Sequence, residues 1–271
     1  MSWRTCQGWL SEGYCKVKIA TWNINSLRVR LPQVLHWLDD NCPDVLALQE
    51  TKTEDRNFPV AEFEAAGYSA AFCGQPTYNG VALLSRRPMQ VFASALPDFH
   101  DPQKRVLAAT VGELAVLNLY VPNGQSIDSD KYRYKLDWLA QLNLWVAALL
   151  EKYPQLVILG DFNIAPEDRD VHDPQAWAGQ VLVSESERAA FRGLLGNGLK
   201  DSFRLFEQAG GHYSWWDYRA AAFRRNQGLR IDHILLSPAL AELGHTTVID
   251  RGPRSWERPS DHTPVISELG I

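Results

Sequence analysis

The sequence predicts an α/β fold: one domain of two β-sheets packed together and covered by helices. Three observations carry that prediction. Short β-rich runs alternate with helical patterns along the chain. Several runs are apolar throughout, as strands buried on both faces are. No Gly/Ser-rich or Pro-rich linker divides the 271 residues.

The elements follow in order. Val17-Lys18-Ile19-Ala20-Thr21-Trp22 reads as a strand. Leu31 to Asp40 reads as a helix, with Pro32 in its first turn, where a missing N–H is tolerated. Asp44 to Leu48, Gly80 to Leu84, Val106 to Val111 and Leu114 to Tyr120 read as strands. Asp128 to Tyr153 is the longest helical stretch, and Leu139, Leu142, Val146 and Leu149 give it one core-facing stripe. Leu156 to Leu159 is another buried strand. Ser184 with Glu187 forms a capping box, opening a helix toward Leu195. Ile231 to Leu236 and Pro264 to Ser267 supply late strands. One faint echo, Trp22-Asn23-Ile24 and Phe162-Asn163-Ile164, is what a duplicated α/β half would leave behind.

The composition, 45% hydrophobic and 22% charged, excludes disordered, collagen-like and coiled-coil classes. The four cysteines are sparse and contain no CxxC pair, so a zinc ribbon or a disulfide framework is not expected. A reducing, cytoplasmic location is. Met1 to Cys15 has no apolar segment of the secretory type, and no apolar run is long enough to span a membrane. A net charge of −5 shows no general basic footprint for nucleic acid. Carboxylates devoted to a metal site would hide a local one.

Several strands end in polar residues of one kind: Asn23 and Asn25, then Gln49-Glu50, then Gly160-Asp161-Phe162-Asn163. Asp232 and Asp261-His262 follow near the C-terminus. Ligands of open α/β sheets bind outside the carboxyl ends of strands. Carboxylates gathered there stay ionised only when a cation joins them, and oxygen donors of this kind suit Mg²⁺ or Mn²⁺. Any one such Asp, taken alone, is an ordinary turn former or helix cap.

The set resembles the exonuclease III family, the DNA-repair branch of the endonuclease/exonuclease/phosphatase superfamily. The resemblance rests on Thr21-Trp22-Asn23-Ile24-Asn25, Leu48-Gln49-Glu50-Thr51-Lys52, Tyr78-Asn79-Gly80-Val81-Ala82 and Tyr120-Val121-Pro122-Asn123-Gly124. It continues in Gly160-Asp161-Phe162-Asn163, Leu229-Arg230-Ile231-Asp232 and Pro259-Ser260-Asp261-His262. It implies a four-layer α/β sandwich, two packed mixed β-sheets flanked by helices. It also implies a metal-dependent phosphodiesterase acting on double-stranded DNA with abasic sites or blocked 3′ ends.

By that resemblance Glu50 is a direct metal ligand, with Asn25 and Asp261 near the ion. Asp161 activates the attacking water. Asn163, Asn23 and Tyr120 bind the scissile phosphate, and His262, held by Asp232, faces it. Trp215, Leu229 and Ile231 wall an apolar pocket for a flipped, base-free deoxyribose.

Ser214-Trp215-Trp216 leads into a stretch from Asp217 to Arg230 with a formal charge of +3, and aromatics interleaved with arginines fit a nucleic-acid backbone. Core tryptophans beside a solvated basic face are the plainer interpretation. Lys104, Arg105, Lys131 and Lys135 are further candidate phosphate contacts, Tyr78 a candidate backbone contact and Asn123 a candidate substrate contact.

Two regions depart from the family pattern. Small polar residues commonly precede the helix that opens here at Ser184, where this chain has Val181-Leu182-Val183. A bulky Leu182 would hinder an abasic sugar yet spare a frayed 3′ end, so 3′-phosphatase and 3′-exonuclease activities are expected to dominate over abasic incision. Residues 1–16 precede a Val17-Lys18-Ile19 that stands where a Met-Lys-Ile start is expected. They are read as a flexible extension, with 17–271 as a single catalytic domain and the chain as a monomer. The alternatives are a superfamily phosphatase acting on soluble or lipid phosphates and an inactive nucleic-acid-binding relative. The first would not need the Trp-Trp loop, and the second would not keep Glu50, Asp161, Asp232, Asp261 and His262 together.

Overall fold

The structure, a computed structural model, describes residues 16–243 and 245–270. The first half runs β1 (Lys16–Asn23), α1 (Leu27–Asn41), β2 (Val45–Gln49), α2 (Val60–Ala65), β3 (Ser69–Cys73), β4 (Val81–Ser85), β5 (Met89–Ala93), β6 (Val106–Val111) and β7 (Leu114–Tyr120). The second runs α3 (Asp130–Lys152), β8 (Leu156–Asp161), α4 (Pro174–Trp177), α5 (Glu185–Gly196), β9 (Lys200–Asp201), β10 (Asp232–Leu236), α6 (Pro238–Ala241), β11 (His245–Ile249) and β12 (Val265–Gly270). The expected N-terminal extension lies outside the described residues apart from Lys16, which opens β1 opposite Gly270.

One sheet has the order β11-β12-β1-β2-β4-β3 and the other β5-β6-β7-β8-β10-β9. Within each, one central pair is parallel, β1–β2 and β7–β8, and the remaining pairs are antiparallel. From β3 or from β5, both sheets therefore repeat the same run of pairings. β1 and β8, which carry the two Asn-Ile echoes, occupy equivalent places in it.

Alternation along the strands builds the layers. Val45 and Ala47 of β2 and Val157 and Leu159 of β8 meet between the sheets. Leu46 and Leu48 face the other way, onto Val34, Trp37 and Leu38 of α1 and Phe63 of α2. Leu156 and Ile158 face Leu139, Leu142 and Val146 of α3 and Phe191 of α5. The result is the expected four-layer sandwich.

The short α2 and β9 and the edge strand β11 were not expected from the sequence, and three further differences have a visible cause. Helix α1 starts a turn earlier, because the N–H groups of Ser26 and Leu27 donate to the carbonyls of Glu50 and Thr51. Pro32 consequently falls inside the helix. Strand β5 escaped notice because it is a half-exposed edge with a register shift between Val91 and Ala93. β3 escaped because Ser-Ala-Ala is a weak strand former.

Candidate active site

Strand pairing delivers the polar residues to one mouth. Asn23 ends β1 opposite Gln49, the last residue of β2, and Glu50 follows. Tyr120 ends β7 opposite Asp161, the last residue of β8, and Asp161 also faces Asp232, the first residue of β10. Beneath the mouth, Gln49 Nε2 donates to Asn118 Oδ1 (2.8 Å) and Asn118 Nδ2 to the carbonyls of Leu48 and Ala82. That buried amide pair locks one sheet's strand ends to the other's. Gly160, φ +145°, is required just before Asp161: a Cβ there would lie 1.9 Å from the carbonyl oxygen of Leu119. Asn25, Glu50 and Asn163 also hold left-handed backbone, φ 44°, 51° and 49°, as residues at functional sites often do.

Asn23 Nδ2 bridges the sheets, donating to Glu50 Oε1 (2.9 Å) and Asp161 Oδ2 (2.8 Å). The Asn163 N–H donates to Asp161 Oδ1 (2.9 Å). His262 Nδ1 lies 2.9 Å from Asp232 Oδ2, which also accepts from Ser214 Oγ (2.6 Å), and His262 Nε2 lies 3.7 Å from Asp161 Oδ2. Glu50, Asp161 and His262 each bring a donor atom within 4.8 Å of the others. Asn25 and Asp261 sit one bond further out. Asn25 Nδ2 donates to Asp261 Oδ1 (2.9 Å), and Lys52 Nζ bridges Glu50 Oε2 (2.8 Å) and Asn25 Oδ1 (2.6 Å). This mouth fits a hard divalent cation: its donors are carboxylate and amide oxygens, and it already gathers an ammonium between two of them.

Burial raises the Asp161 carboxyl, Asp232 adds to the rise and His262 opposes it. Burial works against a charged His262, but Asp232 and Asp161 outweigh it and hold the imidazole protonated well above its ordinary range. The two groups act as one titrating pair. Burial and the neighbouring carboxylates of Glu50 and Asp161 push the Tyr120 phenol well up against the opposing Arg105, so it stays a hydroxyl donor.

Beside the mouth, Leu229 and Ile231 are buried with Val171, Leu182 and Val183, and Trp215 packs against them. Trp215 bridges both Leu229 and His262 through its backbone, and its Nε1 donates to Asp261 Oδ2 (3.0 Å). Trp215, Leu229 and Ile231, expected to wall an apolar pocket, therefore lie together in one apolar cluster, and Leu182 is packed among them. Leu182 is 5% exposed with φ 75°, a region that disfavours a branched side chain.

Among the expected DNA contacts, Tyr78 is 68% exposed, Lys131 is exposed, and Asn123 stands at the surface with its Nδ2 donating to Asn163 Oδ1 (3.0 Å). Arg105 and Lys135 are less exposed than Lys131. Arg105 is 8% exposed, stacks on the Tyr120 ring at 4.6 Å, and spends its donors on Gln103 Oε1 and the Tyr120 carbonyl. Those contacts hold Arg105 against Tyr120. Lys135 is fully buried on the stripe of α3, where Glu187 neutralises it. Its spacing, four residues before Leu139, carried that signal. Lys52 and Ser214 were missed; only their neighbours in the motifs pointed to them.

Comparison with known proteins agrees with this geometry. The sequence profile of the Endonuclease/Exonuclease/phosphatase family matches residues 20–262. "Exodeoxyribonuclease III" of Haemophilus influenzae is 37% identical over 266 residues, covering 93% of this chain and 100% of that protein. Among solved structures, a 3′ phosphatase, NExo, from Neisseria, bound to a product DNA hairpin, is 47% identical, with a TM-score of 0.90 over 94% of this chain and 100% of that one. An AP endonuclease from Archaeoglobus fulgidus is 38% identical, with a TM-score of 0.89 over the same shares. No described helix is long and apolar enough to cross a membrane. The chain belongs to the endonuclease/exonuclease/phosphatase family, in its exonuclease III branch.

Proposed function

We propose that this DNA-repair phosphohydrolase works chiefly on damaged 3′ ends of double-stranded DNA, removing 3′-phosphates and terminal nucleotides, and incises internal abasic sites poorly. The observation that carries the reading is Leu182. Its side chain is packed into the apolar cluster of Leu229 and Ile231, where a base-free sugar would have to be received. A frayed 3′ end reaches the mouth without entering that pocket. The likeness to a Neisseria 3′ phosphatase supports the same reading.

Glu50, with Asn25 and Asp261 behind it, would hold Mg²⁺ or Mn²⁺, which would offset the charge that builds on the phosphate. Asp161, raised by burial, takes the proton from the attacking water, and Asn163 fixes the direction of its carboxylate. Asn23, Tyr120 and the protonated His262 donate to the phosphate oxygens, and Asp232 keeps the imidazole turned toward them. The water oxygen bonds to phosphorus as the P–O3′ bond opposite it breaks, and the departing O3′ takes a proton from solvent.

The test uses the full chain with Mg²⁺ on three duplexes: a nick ending in a 3′-phosphate, an undamaged recessed 3′ end, and an internal abasic site. The 3′-phosphate is expected to turn over fastest. Abasic incision at an equal or greater rate overturns the reading.

A further inference from the structure

We infer that the buried Lys135–Glu187 pair is a positioning element for substrate selectivity, holding Leu182 in its pocket and tying it to the catalytic loops. The inference rests on the role given to Leu182 above.

Glu187 caps α5 in the ordinary way, accepting from the Ser184 N–H (3.1 Å) and Oγ (2.6 Å) through Oε2. Capping leaves Oε1 unused. Here that oxygen reaches past the cap to accept from the Leu182 N–H (3.0 Å) and from Lys135 Nζ. On its other side the Leu182 carbonyl accepts from the Ala165 N–H (2.7 Å). These two bonds hold Leu182 in its left-handed conformation.

Lys135 supplies the second half. Its two remaining donors go to the carbonyls of Asn163 (2.7 Å) and Asn123 (3.1 Å), the loops after β8 and β7. One buried charge pair thus joins three loops: two lead from catalytic strands, and the third carries the side chain that fills the pocket. Packing follows the same line. At Gly124, φ +96°, a Cβ would lie 3.0 Å from the Val181 side chain and 3.2 Å from that of Lys135. A cap alone would need neither the lysine nor the contact with Leu182.

The experiment measures the ratio of abasic incision to 3′-phosphate removal in Glu187→Gln, Lys135→Met and Leu182→Gly, with folding checked by circular dichroism. Glu187→Gln and Lys135→Met should each raise the ratio about tenfold, since a side chain in strained backbone leaves once its anchor is cut. A purely structural role would lower both rates together. Glu187→Gln placed on Leu182→Gly should change the ratio no further, because both act through one side chain. Where either single variant fails to fold, Lys135→Met/Glu187→Met removes both charges at once and should raise the ratio likewise. An unchanged ratio in the folded variants, with Leu182→Gly raising it, overturns the inference and leaves the pocket reading intact. No rise in Leu182→Gly overturns both.

Discussion

Asp161 ends a central strand and is laddered to Tyr120 on one side and Asp232 on the other. Leu182 sits about twenty residues later, in a loop, held by two hydrogen bonds in backbone that its side chain disfavours. The mouth and the pocket are neighbours built on opposite terms. The first is fixed by the pairing of two sheets, which one substitution barely moves. The second depends on a handful of side-chain anchors, which one substitution releases. Reaction chemistry is therefore expected to be stiff and selectivity adjustable, and five measurements test that contrast.

The largest effects belong to the mouth. Chelation by EDTA should abolish turnover on all three duplexes, and Asp161→Asn or His262→Asn should each cost at least about 10²–10³ in rate. These losses should be alike for every substrate. A variant that spared one substrate would place its residue in selectivity instead.

Next comes the junction. Arg230 lies between Leu229 and Ile231 of the apolar cluster, two residues before Asp232. Its guanidinium is buried on Asp170 (2.7 Å) and Asp201 (2.8 Å). Arg230→Met leaves two buried carboxylates short of a cation and should cost about 3–5 kcal/mol, read from urea unfolding. A loss under about 1 kcal/mol would mean that the network is not needed to hold this segment.

The same network predicts acid sensitivity. Burial, with Arg230 beside it, lowers the His233 imidazole to about 4. The unfolded chain binds this proton from about pH 6.5 downward and the folded chain does not until about pH 4. The contribution of a neutral His233 is thus fully present above pH 6.5 and is lost as pH drops through that window, by up to roughly 3 kcal/mol; the raised Asp161 carboxyl works in the opposite sense. Asp170 continues the loss at lower pH: burial opposes its charge, but Arg230 and Arg204 prevail and hold its carboxyl at about 2. Urea midpoints measured with the chain and with His233→Asn isolate the group: the same pH dependence between 7 and 4.5 in both would refute this.

The smaller effects return to recognition. Leu182→Gly should raise abasic incision about tenfold while 3′-phosphate removal stays within roughly threefold, because opening the pocket relieves a local conformational cost and leaves the ladders untouched. Lys131→Ala, at an exposed position, should weaken DNA binding a few-fold for every duplex and reduce the salt slope by about 0.9. A sequence- or lesion-dependent change would give Lys131 more than a backbone contact.

What was legible in the sequence follows the same division. The apolar runs of β2, β6, β7 and β8 announced themselves because strands buried on both faces leave no alternation to misread. The strand-end carboxylates pointed to a hard cation. Convergence of Asp232 and His262 on Asp161 rested on family resemblance, since pairing across seventy or a hundred residues leaves no local trace. The burial of Arg105 and Lys135 was hidden for a related reason. A basic side chain looks alike on a surface and in a core until its partners, Tyr120 and Glu187, are known. Leu182 was visible only as an apolar residue where a small polar one was expected.

The placement of β12 between β1 and β11 bears on how the protein is made. Until residues 265–270 leave the ribosome, β1 keeps an open edge and the first sheet is unfinished. Asp261 and His262 emerge at almost the same moment, and Ser260 then joins the Asn23 carbonyl (2.7 Å) from 237 positions away. A growing chain accordingly holds Glu50 and Asp161 before His262 can join them. The gathering of Glu50, Asp161 and His262 at one mouth therefore coincides with the pairing that closes the first sheet.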